Sequence, residues 1–143
     1  MNEIKTIIGK EFPQIVVPLI DSAKKSIKVV VFDWRWYPQD PANPVQLFNQ
    51  AFVRAARRGV EIEAIANNDE IVKTLLDQGI KAKRVLLKTI IHSKLIIIDG
   101  KIVVIGSHNY TQSAFTFNQE ISVAISDCSD IDKFNLFFHN LYM

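Results

Sequence analysis

The chain has 143 residues, 48% of them hydrophobic and 22% charged, with a formal net charge of +2. That length is ordinarily one domain with a real core, and the balance excludes a disordered polyelectrolyte. No apolar run approaches the roughly 18 residues of a membrane span, Cys128 is the only cysteine, and so small a charge permits a polyanionic partner without requiring one.

In chain order, Met1-Asn2-Glu3-Ile4-Lys5 lacks the basic and apolar regions of a signal peptide. The expectation is a cytoplasmic chain, or a periplasmic one if Met1 restarts a mature form. Phe12, Ile15, Val16, Leu19, Ile20 and Ala23 recur at helical spacing, with Pro13 near the first turn. The continuous apolar run Ile27 to Phe32 reads as a buried parallel strand. A loop with Pro38, Pro41 and Pro44 follows. Then comes a helix with Leu47, Phe48, Ala51, Phe52 and Ala55 on one side, stopped by Gly59. Val60 to Ala66 is a second strand. Asn68 caps a helix with Asp69 and Glu70 in its first turn and Gly79 at its end. Ile80 to Leu87 alternates as a weaker strand. Ile91 to Ile98 and Ile102 to Ile105 flank Asp99-Gly100, a strong hairpin signal. A strand at Ile121 to Ile125 and a helix from Asp130 to Leu141 complete the pattern. Repeated βα units with short links predict one α/β domain over residues 1–143. Its sheet is expected to be mixed but largely parallel, with helices on both faces.

The chemistry concentrates in the hairpin. Side chains at i and i+2 of a strand share a face, so His92 and Lys94 point the same way with tips a few ångströms apart. Ser107 and Asn109 stand just beyond the second apolar run, and Glu120 lies eleven residues beyond Asn109. A nucleophile or base, a fixed cation, and hydroxyl and amide donors on one hairpin make a phosphate-handling site. The alternative is a satisfied histidine and a snorkelling lysine on a buried hairpin. Asp99 is an odd number of residues from both His92 and Lys94. Alternation therefore puts it on the other face, at the turn, away from direct chemistry.

His92, Lys94 and Asp99 fit H-x-K-x4-D, and after six intervening residues Gly106-Ser107-His108-Asn109 fits G-S-x-N. This spacing resembles the phospholipase D superfamily, the HKD phosphodiesterases, over nearly the whole chain. One motif in so short a chain looks most like the bacterial HKD endonuclease branch. The resemblance implies a phospholipase D-like αβα sandwich whose motif histidine attacks phosphorus and forms a phosphohistidine. A second motif's histidine protonates the leaving oxygen, and neither metal nor cofactor takes part. His92, Lys94, Asp99, Ser107, Asn109 and Glu120 are the catalytic residues so implied.

An imidazole attacks when neutral and donates when charged, and two displacements through a covalent intermediate lower each barrier. Lys94, Asn109 and Ser107 are placed to bind the extra negative charge of the pentavalent transition state. Glu120 is expected to hold a histidine in the right tautomer. No Cys, His and carboxylate group has metal-ligand spacing. His108 sits at the variable place of G-S-x-N and reads as a neighbour of the site, and His139 as a surface or packing residue. With one motif per chain, the second histidine must come from another copy, so a homodimer is expected. Its interface would take the apolar residues near the motif strands, with Phe115 and Phe117.

Three further groups keep two readings each. Arg54, Arg57 and Arg58 share one helix face, either as a solvated last turn that suits the helix dipole or as a phosphate-tracking patch. Lys81, Lys83, Arg84 and Lys88 are either surface or nucleic-acid contact. Trp34 and Trp36 follow a buried strand, where they either cap the core or stack on bases. The function expected is cleavage of DNA or RNA with little sequence preference, without integral membrane association. The alternatives are a phospholipase D-type lipid hydrolase, such as a cardiolipin hydrolase, and a non-cutting nucleic-acid-binding module.

Overall fold

A computed structural model describes residues 3–143. Met1 and Asn2, read above within a start of no leader character, lie outside the described residues. The elements are β1 (Glu3–Ile8), α1 (Glu11–Asp21), β2 (Ser26–Val30), α2 (Pro44–Arg57), β3 (Glu61–Ile65), α3 (Asp69–Asp77), β4 (Lys81–Lys83), β5 (Leu95–Ile98), β6 (Ile102–Gly106), α4 (Gln112–Thr116), β7 (Ile121–Ser126) and α5 (Ile131–Tyr142). The strands form one sheet in the order β1-β7-β6-β5-β2-β3-β4.

The expectation of an αβα sandwich with a mixed sheet holds, but not the largely parallel one. Only β2–β3 and β3–β4 are parallel; the other four pairings are antiparallel. The physical reason is how the strands are joined. The βα units carry α2 and α3 as crossovers between parallel neighbours, whereas the tight Asp99-Gly100 turn reverses the chain between β5 and β6, and residues 107–120, which include α4, return it antiparallel as β7. Strand β1, unforeseen in the sequence, pairs antiparallel with β7 at one edge.

The two faces bury separate clusters. One gathers Phe12, Val16 and Ile20 of α1, Phe48 and Phe52 of α2, Leu75 of α3 and Phe115 of α4 against Ile27, Val29 and Ile96. The other packs Phe138 of α5 against Val30, Ile65, Leu95, Ile97 and Val103. Strand β5 is buried along its whole length because it has a strand on each side and a cluster on each face. Asn43 caps α2 through Val45 N–H, and Asn68 caps α3 through Ile71 N–H, as the sequence predicts for Asn68.

Two predicted strands come out short: regular pairing stops at Lys83 and resumes at Leu95. From the edge strand β4 the chain must cross β3 and β2 to reach the place of β5, about 14 Å at the usual strand spacing. Residues 84–94 make that crossing along the carboxyl ends of β2 and β3 and cannot also lie in the sheet.

Candidate active site

His92 and Lys94 therefore sit just before β5, at the sheet end where β2 and β6 finish and β7 begins. Lys94 Nζ is 2.9 Å from His92 Nδ1, so the two tips meet as i, i+2 spacing predicts. An ammonium can only donate, so this contact faces an unprotonated ring nitrogen. Lys94 is buried, whereas His92 is exposed with its ring against Phe32, centroids 4.8 Å apart. Burial pushes the Lys94 ammonium below the usual lysine range, and the charge of Glu120 opposes that shift.

The G-S-x-N residues join the same end. Asn109 Oδ1 accepts from Asp33 N–H, next to Phe32. The turn is held by a bridge in which Tyr110 N–H donates to Asp33 O and Arg35 N–H to Tyr110 O. Asn109 Nδ2 enters no hydrogen bond among the described residues and remains a donor for a substrate oxygen. Ser107 Oγ donates to Glu120 Oε1 at 2.6 Å, and Asn118 Nδ2 donates to Oε2 at 3.1 Å. Among the described residues the Glu120 carboxylate hydrogen-bonds to Ser107 and Asn118 and to no histidine, and its charge supports the protonated forms of Lys94 and His108. Beside Asn109 opens a polar cleft of about 600 Å³ bordered by Asp33, Arg35, Tyr37, Phe117 and Asn118.

Other sequence candidates lie elsewhere. Asp99 is at the far end of β5, where its carboxylate accepts from the N–H groups of Lys24, Lys25 and Ser26. Burial raises its pKa, but the three amides together hold it below the usual aspartate range. It ties the β5–β6 turn to the chain entering β2, at the end of β5 opposite His92 and Lys94. The arginines also lie away from His92. Arg54 pairs with Asp21, and Arg58 donates to the carbonyls of Ile20 and Ala23. Those partners precede the amino end of β2, so the arginine face lies at the end of the sheet opposite His92 and cannot line its pocket. Arg57 is exposed in the same last turn.

Trp34 is buried and donates from Nε1 to Asn49 Oδ1 while packing on Phe52 and Tyr110, so it caps the core and is not a stacking platform. Trp36 is half-buried on the rim of a neighbouring cleft. Phe115 is buried in its own chain's core and is not available to cover an interface; Phe117 is exposed. His108 is buried, with Nδ1 2.7 Å from Ser122 Oγ, Nε2 2.8 Å from Gly9 O, and its ring stacked on Phe12. Burial pushes its pKa below the usual imidazole range.

Sequence reasoning missed Gln46 and Asn49, both buried on α2. Gln46 Oε1 accepts from Tyr37 N–H, and Asn49 Nδ2 donates to Arg35 O, so together they pin the rim segment 33–37 to α2. The available signal was two amides three apart on an otherwise apolar helix face. Gly106 has a packing role beyond its place in G-S-x-N. A Cβ there would overlap the backbone of Ser122, so glycine is what lets β6 close on β7 and bring Ser107 to Glu120. Among the described residues no three His, Cys, Asp or Glu side chains gather as a metal-binding group.

An αβα sheet that presents a paired histidine and lysine beside G-S-x-N donors defines a phospholipase D-like phosphodiesterase fold. The chain belongs to the family described as cardiolipin synthase, PLD-like domain, which matches residues 16–142. It is similar to the phospholipase D family member Nuc from Salmonella typhimurium, with TM-score 0.84 and 24% identity over 99% of this chain and 95% of that one. It is also similar to NucT from Helicobacter pylori, with TM-score 0.78 and 23% identity over 99% and 96% of the two chains. A mitochondrial cardiolipin hydrolase from Chlamydomonas reinhardtii is 30% identical over 91 residues, 59% of this chain and 41% of that protein. The chain thus spans less than half the length of that curated relative. No described helix is long and apolar enough to cross a membrane.

Proposed function

We propose that this chain is a metal-independent phosphodiesterase that cleaves DNA or RNA with little sequence preference through a phosphohistidine. The observation that carries the reading is the contact of exposed His92 with buried Lys94, beside the unused amide donor of Asn109. In the first step a neutral ring nitrogen of His92 attacks phosphorus. A P–N bond forms, the P–O bond to the leaving alkoxide breaks, and the alkoxide takes a proton from a second imidazole. In the second step that imidazole removes a proton from water as the water oxygen attacks phosphorus. The P–N bond breaks and His92 is regenerated.

Each transition state places added negative charge on the non-bridging oxygens. Lys94 Nζ moves from the ring of His92 to those oxygens, and Asn109 Nδ2 donates to them. Burial removes competing water and strengthens that attraction, but it also favours loss of the lysine proton. Glu120 supports the charged form, so Ser107 and Asn118 act through it by holding its carboxylate. The second imidazole comes from a two-fold mate. His108 is committed to Ser122 and Gly9, and His139 lies in the last turn of α5.

The nucleic-acid substrate rests on the resemblance to the single-motif HKD endonucleases, and the low sequence preference on the lack of any base-reading module in the sequence. A phospholipid is the second diester to consider, favoured by the likeness to a cardiolipin hydrolase. Purified protein in EDTA, offered plasmid, single-stranded DNA, RNA and phospholipid vesicles in parallel, tests both. Nucleic acid is expected to be cut with chelator present, and His92→Asn to lose several powers of ten in rate while keeping its circular dichroism. Lys94→Ala is expected to weaken both binding and rate. Activity that disappears in EDTA and returns with magnesium or zinc would sink the metal-free mechanism; cleavage of lipid alone would move the substrate.

A further inference from the structure

The crossing segment 84–94 carries a surface that the proposed chemistry does not use. Val85 and Ile91 turn inward onto the cluster beneath α5. Leu86, Leu87 and Ile90 turn outward and are 80%, 52% and 73% exposed. Scattered exposed aliphatics are ordinary, but three within five residues on one irregular loop form a contiguous apolar tip. Its rim is cationic. Residues 81–91 contain Lys81, Lys83, Arg84 and Lys88 and no acidic residue.

Carboxylates elsewhere in the fold meet part of that charge. Glu61 pairs with Lys81, and Asp69 lies 3.7 Å from Arg84. Lys83 Nζ sits 4.2 Å from the centroid of the Tyr142 ring and enters no ion pair among the described residues. Lys88, between Leu87 and Ile90, is exposed and enters no ion pair among the described residues. The tip thus presents aliphatic side chains with an unneutralised cation in their midst.

We propose that this tip docks on the surface of an anionic lipid bilayer. Leu86, Leu87 and Ile90 enter the boundary between headgroups and acyl chains, and Lys88, Lys83 and Arg84 meet the lipid phosphates. Charge complementarity selects this occupant. A two-fold copy laid on the same tip would set cation against cation. A nucleic-acid strand would gain from the cations but not from the aliphatics, since bases stack on aromatic rings and this loop has none. The attachment is peripheral and differs from substrate choice. It brings His92, two residues beyond Ile90, to the bilayer surface whichever diester is cut.

The experiment is co-sedimentation of the full chain with vesicles of phosphatidylcholine alone or mixed with phosphatidylglycerol. The protein is expected to pellet with the mixed vesicles, to stay in solution with phosphatidylcholine alone, and to release as salt rises. Leu86→Ser/Leu87→Ser/Ile90→Ser should lower the apparent vesicle affinity by about tenfold or more. These side chains face solvent, so its circular dichroism and melting midpoint should match the parent. Lys88→Glu leaves the apolar tip intact and should weaken binding to the anionic vesicles alone. Failure of the parent to bind anionic vesicles overturns the proposal. So does a triple variant that binds as well as the parent. A triple variant that instead falls from dimer to monomer assigns the tip to a second copy, and one that loses only single-stranded DNA affinity assigns it to nucleic acid; either result overturns the membrane assignment.

Discussion

Asp99 accepts hydrogen bonds from three successive backbone amides, and that is what its place in the motif accomplishes. The residue takes a positive φ of 54°, next to Gly100 at 63°, so the turn aims its carboxylate at the chain entering β2. His92 stands at the opposite end of the same short strand. Asp99→Ala should therefore cost about 1–2 kcal/mol of folding stability, near the low end because two of the freed amides are exposed and can rehydrate. The rate per folded molecule on a model diester should fall less than about tenfold, against several powers of ten for His92→Asn. Denaturant titration and initial rates on the two variants separate these roles. A loss of turnover for Asp99→Ala as deep as for His92→Asn, at unchanged stability, would return Asp99 to the catalytic group.

At the scale of elements, β6 and β7 must meet closely for Ser107 to reach Glu120, and His108 fills the gap behind them. Its burial disfavours the imidazolium, more than Gly9 and Glu120 support it. The unfolded chain then binds a proton more readily than the native one. His108 stability is full above the ordinary imidazole range and is lost as pH falls through that range toward the depressed native value. The denaturant midpoint should accordingly drop more between about pH 7.5 and 5.5 in the parent than in His108→Gln, where no imidazole titrates. Equal drops in the two proteins would remove His108 as the source. The sequence showed this pairing poorly. The hairpin, the Asn68 cap and the contact of His92 with Lys94 are local consequences of strand period and turn chemistry, and they were readable. The partners of His108, Glu120, Asp99 and Trp34 depend on which distant backbone lies alongside, which alternation and spacing do not report. Strand β1 escaped because one isolated alternating stretch at a chain end has no neighbouring turn to mark it. The length of β4 escaped because the crossing over β3 and β2 is a property of strand order.

For the whole molecule, the proposed two-step displacement needs two imidazoles on opposite sides of one phosphorus, and this chain brings only His92 to the site. The surface around it suits a two-fold contact. Phe117 is exposed beside Asn109, Ile121 is exposed at the start of β7, and exposed Phe137 borders an apolar groove with Ser93, Leu95, Ile105 and Phe134. An interface holding two rings in register is expected to bury roughly 1,200–2,000 Å² in total. A shared site has a consequence that independent sites lack: a dimer of one intact and one His92→Asn subunit is dead. With mutant in about ninefold excess and subunits exchanged freely, intact pairs make up only about one dimer in a hundred, so activity per intact subunit should fall about tenfold. Independent sites would leave that activity unchanged. Sedimentation of the parent at assay concentration completes the measurement, because a fully active monomer would refute the shared site directly.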